Sequence, residues 1–312
     1  MKSLAPFLVA LVLAVPAAAK PKASTALAPS VPAVQEIPRA NDPMEVSIHR
    51  LANGLTVYLS PNKGAPRVST RVIVRAGSKN DPADSTGMAH YLEHMLFKGT
   101  SRLGTLDYEK ERPHLEKIRA QYEELFKTKD ETGRAKIYKA IDAENIAASA
   151  RAVPNEFDRF YRNIGAEGLN AYTSDEETVY VVSIPANRLE AWAKVEAERF
   201  KNPVFRLFQT EIETVYEEKN RSMDNAERIL SDEVENRLYK QHPYGQQPIL
   251  GSVEHLKNPS LEKMYAFYVR WYAPNNMALA LSGDFDRAKT LDLIKRHFSS
   301  WTPRTLPEMP KW

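Results

Sequence analysis

A pair of histidines one helical turn apart, with a glutamate beside the second, constrains this chain more than any other feature. The pentad His90-Tyr91-Leu92-Glu93-His94 lies inside a helical pattern that runs from Ser85 to Phe97. At about 100° per residue, positions 90 and 94 are some 40° apart around the helix axis, so both imidazoles can reach one ion. Glu93 projects to the same side. The pattern predicts a metal-binding helix, which Ser85 or Thr86 can cap.

The H-x-x-E-H order reverses that of the H-E-x-x-H zinc proteases and is the inverzincin arrangement. A hydrolytic zinc site usually takes three protein ligands and leaves a fourth position for water. The third ligand must therefore come from elsewhere in the chain, so two distant segments have to meet in the fold.

A helical pattern from Phe205 to about Asn225 offers four glutamates as third-ligand candidates. Its apolar face is defined by Phe208, Ile212 and Val215. Projection on a helical wheel places Glu211 and Glu218 beside that face, while Glu213 and Glu217 point away. A carboxylate at the edge of a buried stripe is costly without a cation, whereas an exposed one is simply solvated. Geometry thus nominates Glu211 or Glu218 and does not choose between them.

Strand and helix patterns are mixed along the chain without strict βαβ alternation. Short alternating runs flank the turn dipeptide Asn53-Gly54, which favours a β-hairpin. Three further strands are predicted at residues 68–76, 178–184 and 277–282, and further helices at 188–200 and 286–298. The pattern predicts an α+β fold, a mixed or antiparallel sheet packed against helices.

The first 19 residues have the composition of a secretory signal. Lys2 supplies positive charge, Leu4 to Val15 is apolar, and Ala17-Ala18-Ala19 is a small-residue cleavage site. The apolar stretch is shorter than the roughly 20 residues needed to span a bilayer, which disfavours a membrane anchor. Export to the periplasm or the exterior is predicted, with no membrane association after signal removal.

The charge of the chain limits the classes of partner it can bind, and its cysteine content limits what can stabilise it. Lys and Arg number 43 against 40 Asp and Glu, and they are spread along the chain, so the footprint of a nucleic-acid-binding protein is missing. Cysteine is absent, so stability must come from the core and from any bound metal. A peptide or protein partner therefore fits this chain better than nucleic acid does.

Several segments resemble the pitrilysin and insulinase-type metallopeptidases, which include the mitochondrial processing peptidases. The stretch from Gly87 to Thr100, GMAHYLEHMLFKGT, resembles the signature of that family. Asn170 to Ser174 is similar to its substrate-binding strand, and Val215 to Glu218 to its third-ligand segment. Two later landmarks also agree: His242-Pro243-Tyr244-Gly245 and Asn275-Asn276-Met277.

Carried over position by position, the resemblance implies one zinc ion held by His90, His94 and Glu218, with Glu93 as the catalytic base. It makes Glu211 a further glutamate beside the site rather than a ligand. Ligands of this kind also accept other divalent ions, so zinc is the expectation of the family rather than of the residues.

The resemblance also implies how substrate is held. Asn170, Ala171, Tyr172 and Thr173 match the strand that binds an extended peptide. Binding by β-augmentation reads the main chain and tolerates many sequences.

The implied activity is that of a zinc-dependent endopeptidase acting on extended peptides or unfolded proteins. Members of the family build a chamber from two related halves, and this chain matches one, so a second homologous domain or subunit is expected. The alternative is a non-catalytic or partner-dependent subunit that acts in assembly or substrate binding. An intact H-x-x-E-H argues against such a subunit. A purely structural zinc site is a third option, and it would need a fourth protein ligand.

The expected domain organisation has four parts: a signal at 1–19, a flexible linker at 20–43, a zinc metallopeptidase domain at 44–302, and an interdomain linker or truncated end at 303–312. Within the domain, residues 106–152 resemble an insertion made of two charged amphipathic helices that separate near Thr132-Gly133. This pair is compatible with a role in substrate access and equally with a solvated hairpin that takes no part in chemistry.

Overall fold

The computed structural model describes residues 34–37 and 41–308, and within them seven strands form one mixed sheet. The strands are β1 (Val34–Ile37), β2 (Ser47–Leu51), β3 (Thr56–Pro61), β4 (Arg67–Val74), β5 (Glu167–Thr173), β6 (Thr178–Pro185) and β7 (Met277–Gly283). Their order across the sheet is β1-β2-β3-β7-β4-β6-β5. Strands β3 and β7 are parallel, and every other pair is antiparallel.

Eleven α-helices accompany the sheet in the described part of the chain. They are α1 (Met88–Met95), α2 (Tyr108–Lys127), α3 (Glu131–Ser149), α4 (Glu156–Asn163), α5 (Leu189–Lys201), α6 (Phe208–Met223), α7 (Ala226–Leu238), α8 (Pro243–Gln246), α9 (Val253–Lys257), α10 (Leu261–Trp271) and α11 (Arg287–Phe298). Among the residues described, no helix combines the length and apolarity that a bilayer crossing requires. The predicted α+β fold, a mixed sheet packed against helices, is confirmed.

Alternation along the strands explains how the sheet meets the helices. In β4 every second side chain is buried, including Val68 and Val72, and β7 buries Met277, Leu279 and Leu281 in the same way. Helices α1 and α5 contact β6, and α11 contacts β3. Their apolar side chains join those of the strands in one core, where burying each large apolar side chain contributes about 1.5–3 kcal/mol.

The start of α1 differs from the prediction. The helix begins at Met88, and neither Ser85 nor Thr86 caps it. Gly87 stands at the N-cap position with a φ of 84° and has no side chain to offer. The carboxylate of Asp81 accepts the backbone N–H groups at the helix start instead. The predicted cap was wrong because an acidic side chain six residues before Gly87 folds back onto these donors.

The break between α2 and α3 also lies earlier than predicted. The residues between the helices are 128–130, so Thr132-Gly133 falls in the first turn of α3. Asp130 caps α3 by accepting the N–H of Gly133 at 2.6 Å. Gly133 therefore takes part in a helix start and does not mark a helix end.

Parts of the predicted domain organisation fall outside the described residues, namely the signal at 1–19 and most of the linker at 20–43. Within that linker, Val34–Ile37 form β1, which pairs with β2, so regular structure begins before Met44. Residues 303–308 contain neither helix nor strand.

The paired helices α2 and α3 are anchored to the rest of the fold by polar contacts. The guanidinium Nε of Arg119 donates to Glu262 Oε1 at 2.6 Å, at the start of α10. Arg134 Nη1 donates to Asn258 Oδ1 at 2.9 Å. These contacts hold α2 and α3 against the segment that leads into α10.

A buried ion pair connects α2 to the segment between α5 and α6. Arg206 Nε lies 2.9 Å from Glu111 Oε1, and both side chains are at most 1% exposed. The guanidinium also donates to the backbone carbonyls of Lys98, Leu103 and Thr100. Arg206 therefore fixes the chain just beyond the two histidines.

We expect Arg206→Met to lower the free energy of unfolding by about 3–5 kcal/mol, because it leaves the Glu111 carboxylate buried without its cation. The double variant Arg206→Met/Glu111→Leu removes both charges and should be more stable than the single variant. Urea denaturation of both proteins measures the difference. Equal losses in the two would show that the carbonyl contacts of Arg206, and not its ion pair, dominate.

Candidate metal centre

Helix α1 presents its two histidines together because its other side chains are fixed in the core. Ala89 and Leu92 are fully buried. The rings of His90 and His94 have centroids 4.7 Å apart and planes at 71°, on the side of α1 that faces α6. The one-turn spacing seen in the sequence therefore yields two neighbouring imidazoles.

Aromatic contacts bring α6 against α1. The Tyr91 hydroxyl donates to the carbonyl of Phe208 at 2.6 Å, and the two rings stack with centroids 4.8 Å apart. Phe208 and Val215 are buried, so the apolar stripe of α6 faces the core as the helical wheel predicted. One more turn along α6 brings Glu218 to the edge of this stripe, opposite the histidines.

The structure brings three of the candidate side chains to one point. Glu218 Oε2 lies 3.6 Å from His90 Nε2 and 3.6 Å from His94 Nε2. One ligand atom from each residue lies within 4.8 Å of the others. Ligand atoms bound at about 2 Å to a tetrahedral zinc ion lie roughly 3.3 Å apart. Two imidazole nitrogens and one carboxylate oxygen therefore fit zinc in chemistry and in spacing, and three protein donors are the number that a hydrolytic zinc site uses.

The second candidate glutamate occupies a different position. Glu211 Oε1 lies 2.8 Å from His94 Nδ1, on the ring nitrogen opposite the one that faces Glu218. Its other oxygen contacts the Lys98 ammonium. The Glu211 side chain is 9% exposed, whereas that of Glu218 is 48% exposed. The fold thus separates two glutamates that the helical wheel treated as equivalent.

The two imidazoles differ in their electrostatic surroundings. Burial, together with the charges of His94 and Arg228, lowers the pKa of His90 to about 3, so this ring is neutral. Burial also acts to lower the pKa of His94, but the adjacent Glu211 carboxylate outweighs it and the net shift is upward. A hydrogen bond from Nδ1 to a carboxylate orients a histidine ligand and raises its basicity.

The two buried carboxylates beside the histidines shift in opposite directions. Burial raises the pKa of Glu93, against the opposing effect of a hydrogen bond from Thr173. Burial also acts to raise the pKa of Glu211, but hydrogen bonds from His94 and Lys98 outweigh it and lower the pKa. Of the two carboxylates, Glu93 therefore has the higher proton affinity.

Strand β5 lies beside Glu93 at the edge of the sheet. The Thr173 hydroxyl donates to Glu93 Oε2 at 2.6 Å. Asn170 and Tyr172 are exposed, and Ala171 is half-buried. Because β5 is the last strand in the sheet order, its outer edge has no strand partner among the described residues.

A pocket of about 270 Å³ adjoins His94 and β5. Glu93, His94 and Asn170 line one side of it, and Phe97 and Phe157 contribute aromatic surface. A side chain of a peptide lying along β5 has space to enter here.

Two contacts of the site were not predicted from the sequence. Lys98, whose ammonium contacts Glu211, lies just beyond the end of α1, so helical spacing from His94 did not predict its position. The bond between Thr173 and Glu93 joins residues 80 apart in the chain, and no local pattern signals it. Thr173 was predicted as a substrate-binding residue, and in the structure its hydroxyl contacts Glu93.

Two family models match the sequence. The family model described as Insulinase (Peptidase family M16) matches residues 56–118 and 128–251, and the model described as Peptidase M16 inactive domain matches residues 259–311. An uncharacterized zinc protease of Rickettsia felis is 25% identical over 256 residues, which cover 81% of this chain and 50% of the relative. The beta subunit of the mitochondrial-processing peptidase of Rattus norvegicus is 26% identical over 258 residues, covering 81% and 42%.

A solved structure shares the fold. The periplasmic protease PqqL from Escherichia coli superposes with a TM-score of 0.65 and 22% identity, over 89% of this chain and 26% of PqqL. The chain spans about half, or less, of the length of the curated relatives it matches. Because the first family model covers more than half of the sequence, the chain belongs to the insulinase family, peptidase family M16.

Proposed function

We propose that this chain is the catalytic part of a zinc-dependent endopeptidase, with one zinc ion held by His90, His94 and Glu218. The convergence of three ligand atoms within 4.8 Å carries this proposal, because two distant helices have no other evident reason to bring these groups together. Relatives named as zinc proteases support the choice of metal and reaction.

The chemistry divides between the metal and the chain. A bound zinc ion supplies Lewis-acid activation of water and of the peptide carbonyl. Glu93 accepts the proton of the attacking water at Oε1, because Oε2 is engaged by Thr173. The raised pKa of Glu93 suits a group that must hold this proton and then return it to the leaving amine. Glu211 keeps the His94 ring in one orientation throughout.

Substrate recognition is proposed at the outer edge of β5. Asn170, Ala171, Tyr172 and Thr173 present the backbone to which an extended peptide adds as a further strand. Thr173 lies at the end of β5 and also contacts Glu93, so a peptide paired with this strand runs past the base. Such binding accepts extended peptides and unfolded proteins of many sequences.

The proposal includes a second homologous domain or subunit and an exported location. The chain spans half the length of the Rickettsia felis relative, which supports a second homologous domain or subunit that closes the chamber. A non-catalytic or partner-dependent subunit that acts in assembly or substrate binding is the second candidate function. Export, proposed from the predicted signal, agrees with the periplasmic location in the name of PqqL.

A metal assay paired with peptide cleavage tests the proposal. We expect the purified chain to bind one zinc ion and, with the homologous second half added, to cleave an unfolded peptide library. Chelation should abolish cleavage, and added zinc should restore it. Cleavage that persists after verified zinc removal would contradict the proposal. Zinc binding without cleavage, even in the presence of the second half, would favour a non-catalytic subunit.

A further inference from the structure

Asp81 is a buried acidic residue that lies outside the proposed ligand set and contacts the metal-binding helix directly. Its side chain accepts three backbone N–H groups at the start of α1. Oδ2 accepts from Gly87 at 2.7 Å and from Met88 at 3.1 Å, and Oδ1 accepts from Ala89 at 2.8 Å. Asp81 is 5% exposed. Both carboxylate oxygens are therefore committed to one helix end.

Helix α1 depends on this cap more than a longer helix would. It has eight residues, and helices of this length are unstable in isolation. The first N–H groups of a helix have no partner within it, and Gly87 at the N-cap position has no side chain to supply one. Asp81 satisfies these donors in a buried environment where leaving them unpaired is costly.

The same carboxylate acts on the electrostatics of the metal site. His90 stands in the first turn of α1, where the helix dipole places partial positive charge that opposes a bound cation. A carboxylate at this end offsets that charge. Burial raises the pKa of Asp81, whereas the three N–H donors favour its ionised form.

The loop that carries Asp81 is itself fixed from the other side. Gln247 donates from Nε2 to the Asp81 carbonyl at 3.0 Å, and the backbone N–H of Ser252 donates to Thr86 Oγ1 at 3.0 Å. Gly87 packs so closely on Gly251 that a Cβ at Gly87 would lie 2.8 Å from the Gly251 Cα. Asp81 therefore connects α1 to a loop that is itself held by the segment from Gln247 to Ser252.

We propose that Asp81 is a positioning residue for the metal centre, acting through the backbone of α1 to set the direction and charge environment of His90 and His94. The inference rests on the proposed zinc site and deepens it. Asp81 takes no proton and binds no metal in this role.

Asp81→Asn in the full chain tests this role, since it keeps the shape and removes the charge and one acceptor. We expect zinc affinity, measured by competition with a chelator, to fall roughly tenfold. The visible absorption of the Co²⁺-substituted protein should also change, because this spectrum reports ligand geometry. Asp84→Asn is the matched control: Asp84 lies in the same loop, contacts Lys263 and is 70% exposed in its side chain. It should leave both readouts unchanged.

The experiment distinguishes failure of the role proposed for Asp81 from failure of the proposed zinc site. If the wild-type chain binds no zinc, the proposed site fails. If the wild type binds zinc and Asp81→Asn binds it equally, with an unchanged Co²⁺ spectrum, only the role of Asp81 is overturned, whatever the loss of thermal stability. Should Asp81→Asn not fold, Asp81→Glu retains the charge on a longer side chain. Wild-type zinc affinity and Co²⁺ spectrum in that variant would then overturn the positioning role, and a changed spectrum would support it.

Discussion

Replacing Glu93 by Gln should leave zinc binding intact and reduce peptide hydrolysis by roughly 10²–10⁴-fold, the range associated with loss of a general base. Gln has the shape of Glu but cannot take a proton from water at neutral pH. Its amide oxygen can still accept the Thr173 hydroxyl, which Glu93 now accepts at 2.6 Å. The side chain therefore keeps its position, and the loss reports proton transfer alone.

Zinc content and hydrolysis have to be measured on the same preparation of Glu93→Gln. Thr173→Val serves as a control, because it removes the hydroxyl contact and leaves the base in place. We expect a smaller loss of hydrolysis there than in Glu93→Gln. Wild-type hydrolysis by Glu93→Gln would exclude Glu93 as the base. Loss of zinc in the same variant would assign Glu93 to the integrity of the site instead.

The metal-binding helix could be predicted from the sequence because the spacing of its two histidines is a local feature. A spacing of four residues fixes the angle between His90 and His94 on any α-helix, so their proximity needed no knowledge of the fold. The choice between Glu211 and Glu218 depends on how two helices pack, which is not local information. A helical wheel gives direction around an axis and no distance to another helix, and the two glutamates lie two turns apart along α6. The contacts between α1 and α6, among them the stacking and hydrogen bond of Tyr91 with Phe208, set which turn of α6 faces which imidazole nitrogen.

The unpredicted features share a dependence on contacts between distant residues. The parallel pairing of β3 with β7 joins Thr56 to Ala278, and no pattern within either strand specifies that neighbour. The cap of α1 comes from Asp81, which precedes the helix by a loop, so the usual search for Ser or Thr at the boundary selected the wrong residue. Local rules succeed where the partner lies within one helical turn.

Replacing Glu218 by Gln should cause the largest loss of zinc affinity of any single substitution on α6. The change removes the negative charge from the only carboxylate that lies near both Nε2 atoms, at 3.6 Å from each, among the residues described. We expect the loss to exceed the roughly 10–100-fold typical of a group that contacts a ligand without binding the metal. Chelator competition at fixed pH measures it. Circular dichroism checks that the variant is folded, which the 48% exposure of the Glu218 side chain favours.

Two other glutamates of α6 supply the matched comparison. Glu217→Gln changes an exposed neighbour and should leave zinc affinity at the wild-type value. Glu211→Gln removes the carboxylate that orients His94 and should lower affinity by roughly 10–100-fold. The expected order of loss is therefore Glu218, then Glu211, then Glu217. A greater loss of zinc affinity from Glu211→Gln than from Glu218→Gln would reverse the roles proposed for them. A carboxylate that only contacts Nδ1 of one imidazole should affect zinc affinity less than a ligand does, so that order would indicate that Glu211 binds the metal itself.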